Sequence, residues 1–276
     1  MLNFDEARYA RIQAGALAQG PGLSRAIEAC LGAEARNLFF PGAWSAAILM
    51  HPAAQLLQRR SRFPVFAEIG AELVVGGHQA LGPGSIVVIP SLSGTTKESV
   101  EALAFCKARS ATVIALVGHG GTPLAEGADH AFVNFAEDDT SCESFYLQSL
   151  LLALAVFRAR GEAADHDAHV ADLNRLPALL VEAKRSFEPR AESVARALAA
   201  DPWHIMVGAG ATWPQAWYYG MCILEEMQWI RTRPIHAADF FHGTLELVEK
   251  GVSVVLFKGE DAARPLIEWV ERFLPA

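Results

Sequence analysis

The sequence predicts an α/β chain of parallel sheets covered by helices, arranged as two successive halves. Three observations lead there. Short apolar, mostly β-branched runs recur at Ile86 to Ile89, Thr112 to Val117 and His204 to Val207, and such runs read as strands buried on both faces. Each is followed by a short Gly-rich or hydroxyl-rich link and then by apolar residues at helical spacing. The strand, turn, helix order returns after about residue 173, so the second half repeats the architecture of the first. Right-handed crossovers between parallel strands then give helices on both faces of each sheet.

Taken in order, residues 1–34 form an N-terminal helical segment with a break expected at Gly20-Pro21-Gly22. A first strand at Asn37 to Phe40 leads through Pro41-Gly42-Ala43-Trp44-Ser45 into a helix ending near Arg60. Trp44 is expected to pack inward, as an aromatic beside a helix start usually does. A strand at Val65 to Glu68 and a short helix through Val75 come next. Beyond the central strand lie Thr112 to Val117, a glycine-rich link, and a fifth strand at His130 to Asn134. Ser141 to Arg160 reads as one long helix, and the polar stretch 164–172 as a linker or cap. Helical spacing runs from Leu173 to about Ala199. Then come His204 to Val207, the Gly208-Ala209-Gly210 turn, a long helix, a strand at Val252 to Phe257 and a helix at Ala263 to Leu274. The domains so defined are 35–165 and 173–276.

The most informative stretch is Ser85 to Glu98. A buried strand ends in Pro90, and Ser91, Ser93, Thr95 and Thr96 crowd the turn before a helix starting at Lys97. The first N–H groups of a helix lack intrahelical partners, and the helix dipole favours negative charge there. Gly94 lets the backbone approach a ligand closely. One hydroxyl would suffice for an ordinary cap, so four point to an anion site of the phosphate-binding kind. No Gly-x-x-x-x-Gly-Lys run is present, which excludes a nucleotide P-loop.

Composition narrows the partners. The net charge is -8 and hydrophobic residues make up 52%, with no basic stripe to suit a nucleic acid. The longest apolar run, Leu150 to Phe157, is too short for a bilayer and reads as core. No signal-peptide pattern is expected at the N-terminus. Cys30, Cys106, Cys142 and Cys222 are scattered, as buried small apolar residues are, and a cytoplasmic location follows from their spacing. His166 and His169 are three apart without further ligands nearby, so no metal site is expected.

In the second half, Glu225 and Glu226 lie beside Met227, Trp229 and Ile230. Desolvation by such neighbours raises a carboxyl pKa and suits proton transfer, with one of the two acids facing solvent. His242 follows Phe240-Phe241 and precedes Gly243. Taken alone it reads as a core histidine.

Here the sequence resembles a family. Ser-x-Ser-Gly-x-Thr after a buried strand is similar to the phosphate-binding turn of SIS (sugar isomerase) domains. The string Glu-Met-Gln-Trp-Ile followed by Phe-Phe-His-Gly is similar to the second lobe of fructosamine-6-phosphate deglycases, fructoselysine 6-phosphate deglycase among them. The resemblance implies two SIS-type lobes, each a flavodoxin-like parallel sheet sandwiched by helices. It implies that Ser91, Leu92, Ser93 and Thr96 hold a phosphate in the turn 90–96, while Gly42 and Ser45 touch the sugar. It implies proton transfer by a Glu and a His sixteen residues apart in the segment 222–249, which gives Glu226 and His242. No cofactor is implied, and the partner is a second copy of the chain in a homodimer or larger assembly.

Departures from the family pattern carry expectations of their own. Ala43 and Trp44 stand where the family has small hydroxyl residues, and Thr244 replaces a Pro after His242-Gly243. The second lobe is expected to be truncated, without the C-terminal tail Lys that forms a Schiff base in the related isomerase. The resemblance thus implies hydrolysis of a fructosamine 6-phosphate to glucose 6-phosphate and an amine. A phosphosugar isomerase or aminosugar-phosphate deaminase shares the same contacts, and a sugar-phosphate sensor remains the non-enzymatic alternative.

Overall fold

The structure, a computed structural model, describes residues 4–162 and 164–274. The chain divides into two compact units, residues 1–185 and 186–276.

The first unit opens with α1 (Glu6–Ala18) and α2 (Gly20–Gly32). The break expected at Gly20-Pro21-Gly22 falls earlier, at Gln19, because Pro21 is accepted in the first turn of α2, where its missing N–H would have no intrahelical partner. Next come β1 (Asn37–Gly42), α3 (Trp44–Arg60), β2 (Val65–Ile69), α4 (Gly70–Gly76), β3 (Ser85–Ser91), α5 (Lys97–Lys107), β4 (Thr112–Val117), α6 (Pro123–Gly127) and β5 (His130–Val133). A 3-10 turn at Asp139–Glu143 leads into α7 (Ser144–Ala159). All strands are parallel, in the order β2-β1-β3-β4-β5. That is the flavodoxin-like order, in which the chain reverses direction between β1 and β3.

Burial explains the order. β1 and β3 are buried along their whole length, whereas the edge strands β2 and β5 alternate. Ile86, Val87, Val88 and Ile89 are fully buried, and each such side chain contributes about 1.5–3 kcal/mol. Val87 and Ile89 face a core that includes Leu103 and Cys106 of α5 and Leu124 of α6. Burial also pushes the Cys106 thiol up to about 11, against the opposing charge of Arg109, so Cys106 is a packing residue. Cys30 and Cys222 are buried and Cys142 is half-buried.

α7 is apolar on nearly every side and packs against α1, α2 and α3. The helical stretch Asp139–Ala159 is long and apolar enough to cross a membrane by length and composition, longer than the apolar run alone indicated, but 72% of its most apolar window is buried inside the protein. It is the core helix of this unit.

The stretch 164–172 is no linker. α8 (His166–Ala200), 35 residues long, begins inside it and takes in the rest, and the His169 N–H donates to the Asp165 carbonyl. The segment is polar but contains no Gly or Pro until Pro177, so nothing in its chemistry interrupts a helix. The division between the two units falls within α8.

The second unit contains β6 (Trp203–Gly208), a 3-10 turn at Gly210–Thr212, α9 (Trp213–Tyr218), a π-helix at Tyr219–Met227, β7 (Arg231–His236), α10 (Ala237–Phe240), a 3-10 turn at Thr244–Leu247, β8 (Ser253–Phe257) and α11 (Arg264–Phe273). Its parallel sheet has the order β7-β6-β8. Ile205 and Val207 of β6 face Phe240, Ile267 and Val270 on one side. Met206 faces Ala216 and Leu224 on the other. β7 escapes sequence reading because Arg231, Arg233 and Pro234 lie inside it, and an edge strand tolerates all three.

Candidate active site

The site is built first from the turn between β3 and α5. Ser91 ends β3 with its side chain buried. Its Oγ accepts the Gly94 N–H at 3.1 Å and lies 3.1 Å from Thr96 Oγ1. Ser93 Oγ lies 3.4 Å from the same Thr96 oxygen and accepts the Thr95 N–H at 3.2 Å. Three hydroxyls therefore converge on one point. Thr96 stands at the cap position of α5, yet no side chain caps that helix. An ordinary cap would satisfy one of its first-turn N–H groups; here those donors stay available to an anion. Gly94 has φ 68°, and a Cβ on it would fall 2.1 Å from Thr122 Oγ1, so the turn admits no other residue without moving its neighbour.

The sheet opens at the same place. β1 stays paired with β2 as far as Gly42 against Ile69, and β3 with β4 as far as Ser91 against Val117. The ladder between β1 and β3 runs only from Asn37 against Ser85 to Phe39 against Val87. The two central strands part towards their carboxyl ends, which is where ligands enter open α/β sheets. Gly42 ends β1 and is buried; a Cβ there would meet the Ala47 Cβ at 2.8 Å. Ser45 lies half-buried in the first turn of α3, whose N-terminus likewise has no side-chain cap. The structure thus brings Ser91, Leu92, Ser93 and Thr96 together in one turn, and places Gly42 and Ser45 on the strand and helix across the opening.

Trp44 does not pack inward as expected. It is 47% exposed, and its backbone has φ 52°. A bulky residue in the left-handed region costs of order 1–3 kcal/mol and persists where its surroundings over-determine it. The apolar character of Trp44 suggested core; at the first position of α3 its left-handed backbone goes with a half-exposed side chain.

In the second unit, the two acids separate. Glu225 is half-buried, and its Oε1 accepts both the N–H and the Oγ1–H of Thr232 on β7, each at 2.9 Å. Glu226 is exposed. The desolvation expected from Met227 and Trp229 is not supplied within this unit, since Met227 is 53% and Trp229 90% exposed. The reason is local. The π-helix stops at Met227, and Trp229, with φ 58°, turns its side chain away. π-helical turns are rare and occur frequently at functional sites, and sequence periodicity does not distinguish one from an α-helix.

His242 is no core histidine. It is exposed, its N–H donating to the Asp239 carbonyl. Thr244 is buried and accepts from Arg233 Nε at 3.3 Å, so the substitution for Pro ties this loop to β7. The Gly208-Ala209-Gly210 turn is filled from within. Asp261 accepts the Ala211 N–H at 2.7 Å and the Ala263 N–H at 2.9 Å. Neither the Glu225–Thr232 clamp nor the Asp261 contact has a sequence signature. Among the described residues, no group of three or more His, Cys, Asp or Glu is placed to hold a metal ion.

Comparison with known proteins agrees with this geometry. The SIS domain family model matches residues 33–158. Fructosamine deglycase FrlB of Bacillus subtilis (strain 168) is 26% identical over 253 residues, covering 89% of this chain and 77% of the relative. Fructoselysine 6-phosphate deglycase of Escherichia coli (strain K12) is 24% identical over 252 residues, covering 90% and 72%. A Salmonella typhimurium LT2 protein classed as a phosphosugar isomerase superposes with a TM-score of 0.87 at 27% identity, over 92% of this chain and 78% of its own. The C-terminal domain of glucosamine-fructose-6-phosphate aminotransferase from Francisella tularensis gives 0.81 at 16% identity, over 95% and 80%, a likeness of fold alone. The opened β1–β3 crevice and its hydroxyl turn both lie inside the residues that the SIS domain family model matches.

Proposed function

We propose that this protein is a fructosamine-6-phosphate deglycase, releasing glucose 6-phosphate and a free amine. One observation carries the reading: three hydroxyls converge at the uncapped N-terminus of α5, in the crevice between β1 and β3. Such a site suits a phosphate dianion, since hydrogen bonds to a charged group are worth about 1.5–3 kcal/mol each. Similarity to two deglycases supports the choice of substrate class.

In this reading Ser91, Ser93 and Thr96 hold the 6-phosphate with the Leu92 backbone, and Gly42 and Ser45 border the sugar. His242 assists opening of the ring. Glu226 takes a proton from C1 of the open ketoamine and returns it at C2, while the C2 oxygen gains a proton and the amine nitrogen loses one, which turns the ketoamine into the imine of an aldose. Water adds to that imine, and the C–N bond breaks to give glucose 6-phosphate and the amine. Phosphate binding supplies the orientation that proton transfer needs. The clamp of Glu225 on Thr232 fixes the end of the π-helix and so the place from which Glu226 projects.

The same reading makes 173–276 a second SIS lobe following the first at 35–165 in the chain, the assembly a homodimer or larger, and the compartment the cytoplasm. The test is a coupled assay for glucose 6-phosphate from fructoselysine 6-phosphate, with Glu226→Gln alongside. Turnover in the wild type, lost in the variant while fructose 6-phosphate still binds, is expected. Interconversion of fructose 6-phosphate and glucose 6-phosphate, without amine release from any ketoamine phosphate, would replace the deglycase with an isomerase.

A further inference from the structure

The second unit holds a buried histidine that the proposed reaction does not use. His204 lies on β6, in register with Thr232 of β7 on one side and Ser253 of β8 on the other. Residues in register across a parallel sheet present their side chains to one face, so these three form a polar row. That face is the one against the π-helix. Met206, two residues along β6, packs there against Ala216 and Leu224, and a Cβ on Gly220 would fall 3.0 Å from Thr232 Oγ1.

His204 is fully buried, with Nδ1 2.8 Å from Ser253 Oγ. Its Nε2 is buried as well and meets no partner among the described residues. Its neighbours on the strand are Trp203, Ile205, Met206 and Val207. A leucine would pack among them without leaving a polar atom unpaired, and buried polar groups are as a rule hydrogen-bonded. A histidine kept in such a place points to a partner. The group with matching capacity is held on the neighbouring Thr232. Glu225 uses one oxygen, Oε1, for both the N–H and the hydroxyl of Thr232, and its Oε2 has no hydrogen bond among the described residues. A carboxylate held through one oxygen pivots; one held through both is fixed in orientation.

We infer that His204 is a positioning residue for Glu226. With Nδ1 accepting the Ser253 hydroxyl, the Nε2–H donates to Glu225 Oε2, directly or through one bound water, and makes the hold on Glu225 a two-point clamp. Glu226 follows Glu225 in the chain, one residue before the π-helix ends at Met227, so the clamp sets where its carboxylate projects. The inference rests on the deglycase reading above, in which Glu226 moves the proton, and adds to it the residue that holds the acid in place. His204 itself touches no substrate.

The experiment uses the wild type, His204→Leu, His204→Gln and His204→Asn. It measures kcat and KM for fructoselysine 6-phosphate, calorimetric binding of fructose 6-phosphate, melting temperature, and amide hydrogen exchange over residues 225–230. A glutamine amide nitrogen reaches the place of Nε2 and an asparagine one the place of Nδ1, so the two amides separate the roles of the ring nitrogens. In His204→Leu, kcat is expected to fall by about 10- to 100-fold, the scale of a misplacement of about 1 Å. KM, fructose 6-phosphate affinity and melting temperature hold, and exchange over 225–230 quickens. His204→Gln restores kcat to within about threefold of the wild type, and His204→Asn does not. In a Thr232→Val background, adding His204→Leu brings little further loss, because both act through Glu225. Wild-type kcat or wild-type exchange in His204→Leu overturns the assignment. So does an equal loss in all three variants, the mark of a merely structural role. A wild type that releases glucose 6-phosphate from no ketoamine phosphate overturns the deglycase reading. Faster exchange in His204→Leu, reversed in His204→Gln, then still upholds the clamp, and unchanged exchange removes both.

Discussion

Two junctions in this molecule share one plan and differ in what fills them. At β3–α5 and again at β6–α9, a buried parallel strand runs through a turn into the start of a helix. In the first, Thr96 leaves α5 uncapped and turns its hydroxyl towards those of Ser91 and Ser93. In the second, Asp261 supplies a carboxylate that takes the Ala211 N–H, and Thr212 Oγ1 donates to the Phe257 carbonyl at 2.7 Å. A helix start of this kind attracts negative charge. The second junction satisfies that attraction with a side chain of its own; at the first no side chain does so, which the proposed function reads as room for a ligand. The repeated architecture therefore does not imply repeated ligand sites.

The largest effect belongs to the chemistry that the open junction serves. Glu226→Gln should lower kcat by about two to four orders of magnitude, the range of general base catalysis, and leave the binding of fructose 6-phosphate intact. A variant retaining more than about a tenth of wild-type turnover would remove Glu226 from the mechanism.

The open junction itself is tested by Ser93→Ala and Thr96→Val. Each removes one hydroxyl from a charged ligand, so each should weaken sugar-phosphate binding by about 10- to 100-fold. Neither residue is buried, and the melting temperature should barely move. Unchanged binding in both variants would reduce the hydroxyl cluster to local turn chemistry.

Gly94→Ala asks whether the turn tolerates any side chain. Its φ is positive and the new methyl meets Thr122, so a loss of stability of about 1–3 kcal/mol is expected, together with weaker phosphate binding. A protein as stable as the wild type would show that the turn relaxes freely.

The smallest effect is expected at the closed junction. Asp261→Ala leaves two N–H groups without their carboxylate and should cost about 1–2 kcal/mol in thermal unfolding, with turnover nearly unchanged. If the same variant gains a second sugar-phosphate site, the two junctions are closer in kind than their present contents suggest.

Much of the first unit was legible because its strands announce themselves. Thr112 to Val117 and the start of α5 at Lys97 lie where β-branching and turn chemistry put them. The hydroxyl turn was legible for the same reason, since Ser91, Ser93 and Thr96 adjoin in sequence. What escaped depends on contacts between distant residues or on backbone detail. β7 was hidden by Arg231, Arg233 and Pro234. The polar start of α8 resembled a linker. Trp44 looked like core because hydropathy carries no information on φ, and the environment of Glu226 was misjudged because a helix was extended past Met227. Asp261 reaches back to residue 211 through the fold alone.

The central claim is that one junction binds phosphate and the other does not. Calorimetric titration of the intact chain with fructose 6-phosphate, repeated on the Ser93→Ala/Thr96→Val double variant, tests it most directly. One equivalent bound per chain by the wild type, and none by the variant at the same concentrations, is the predicted result. Two equivalents per chain, or a single equivalent that survives the double substitution, would contradict it.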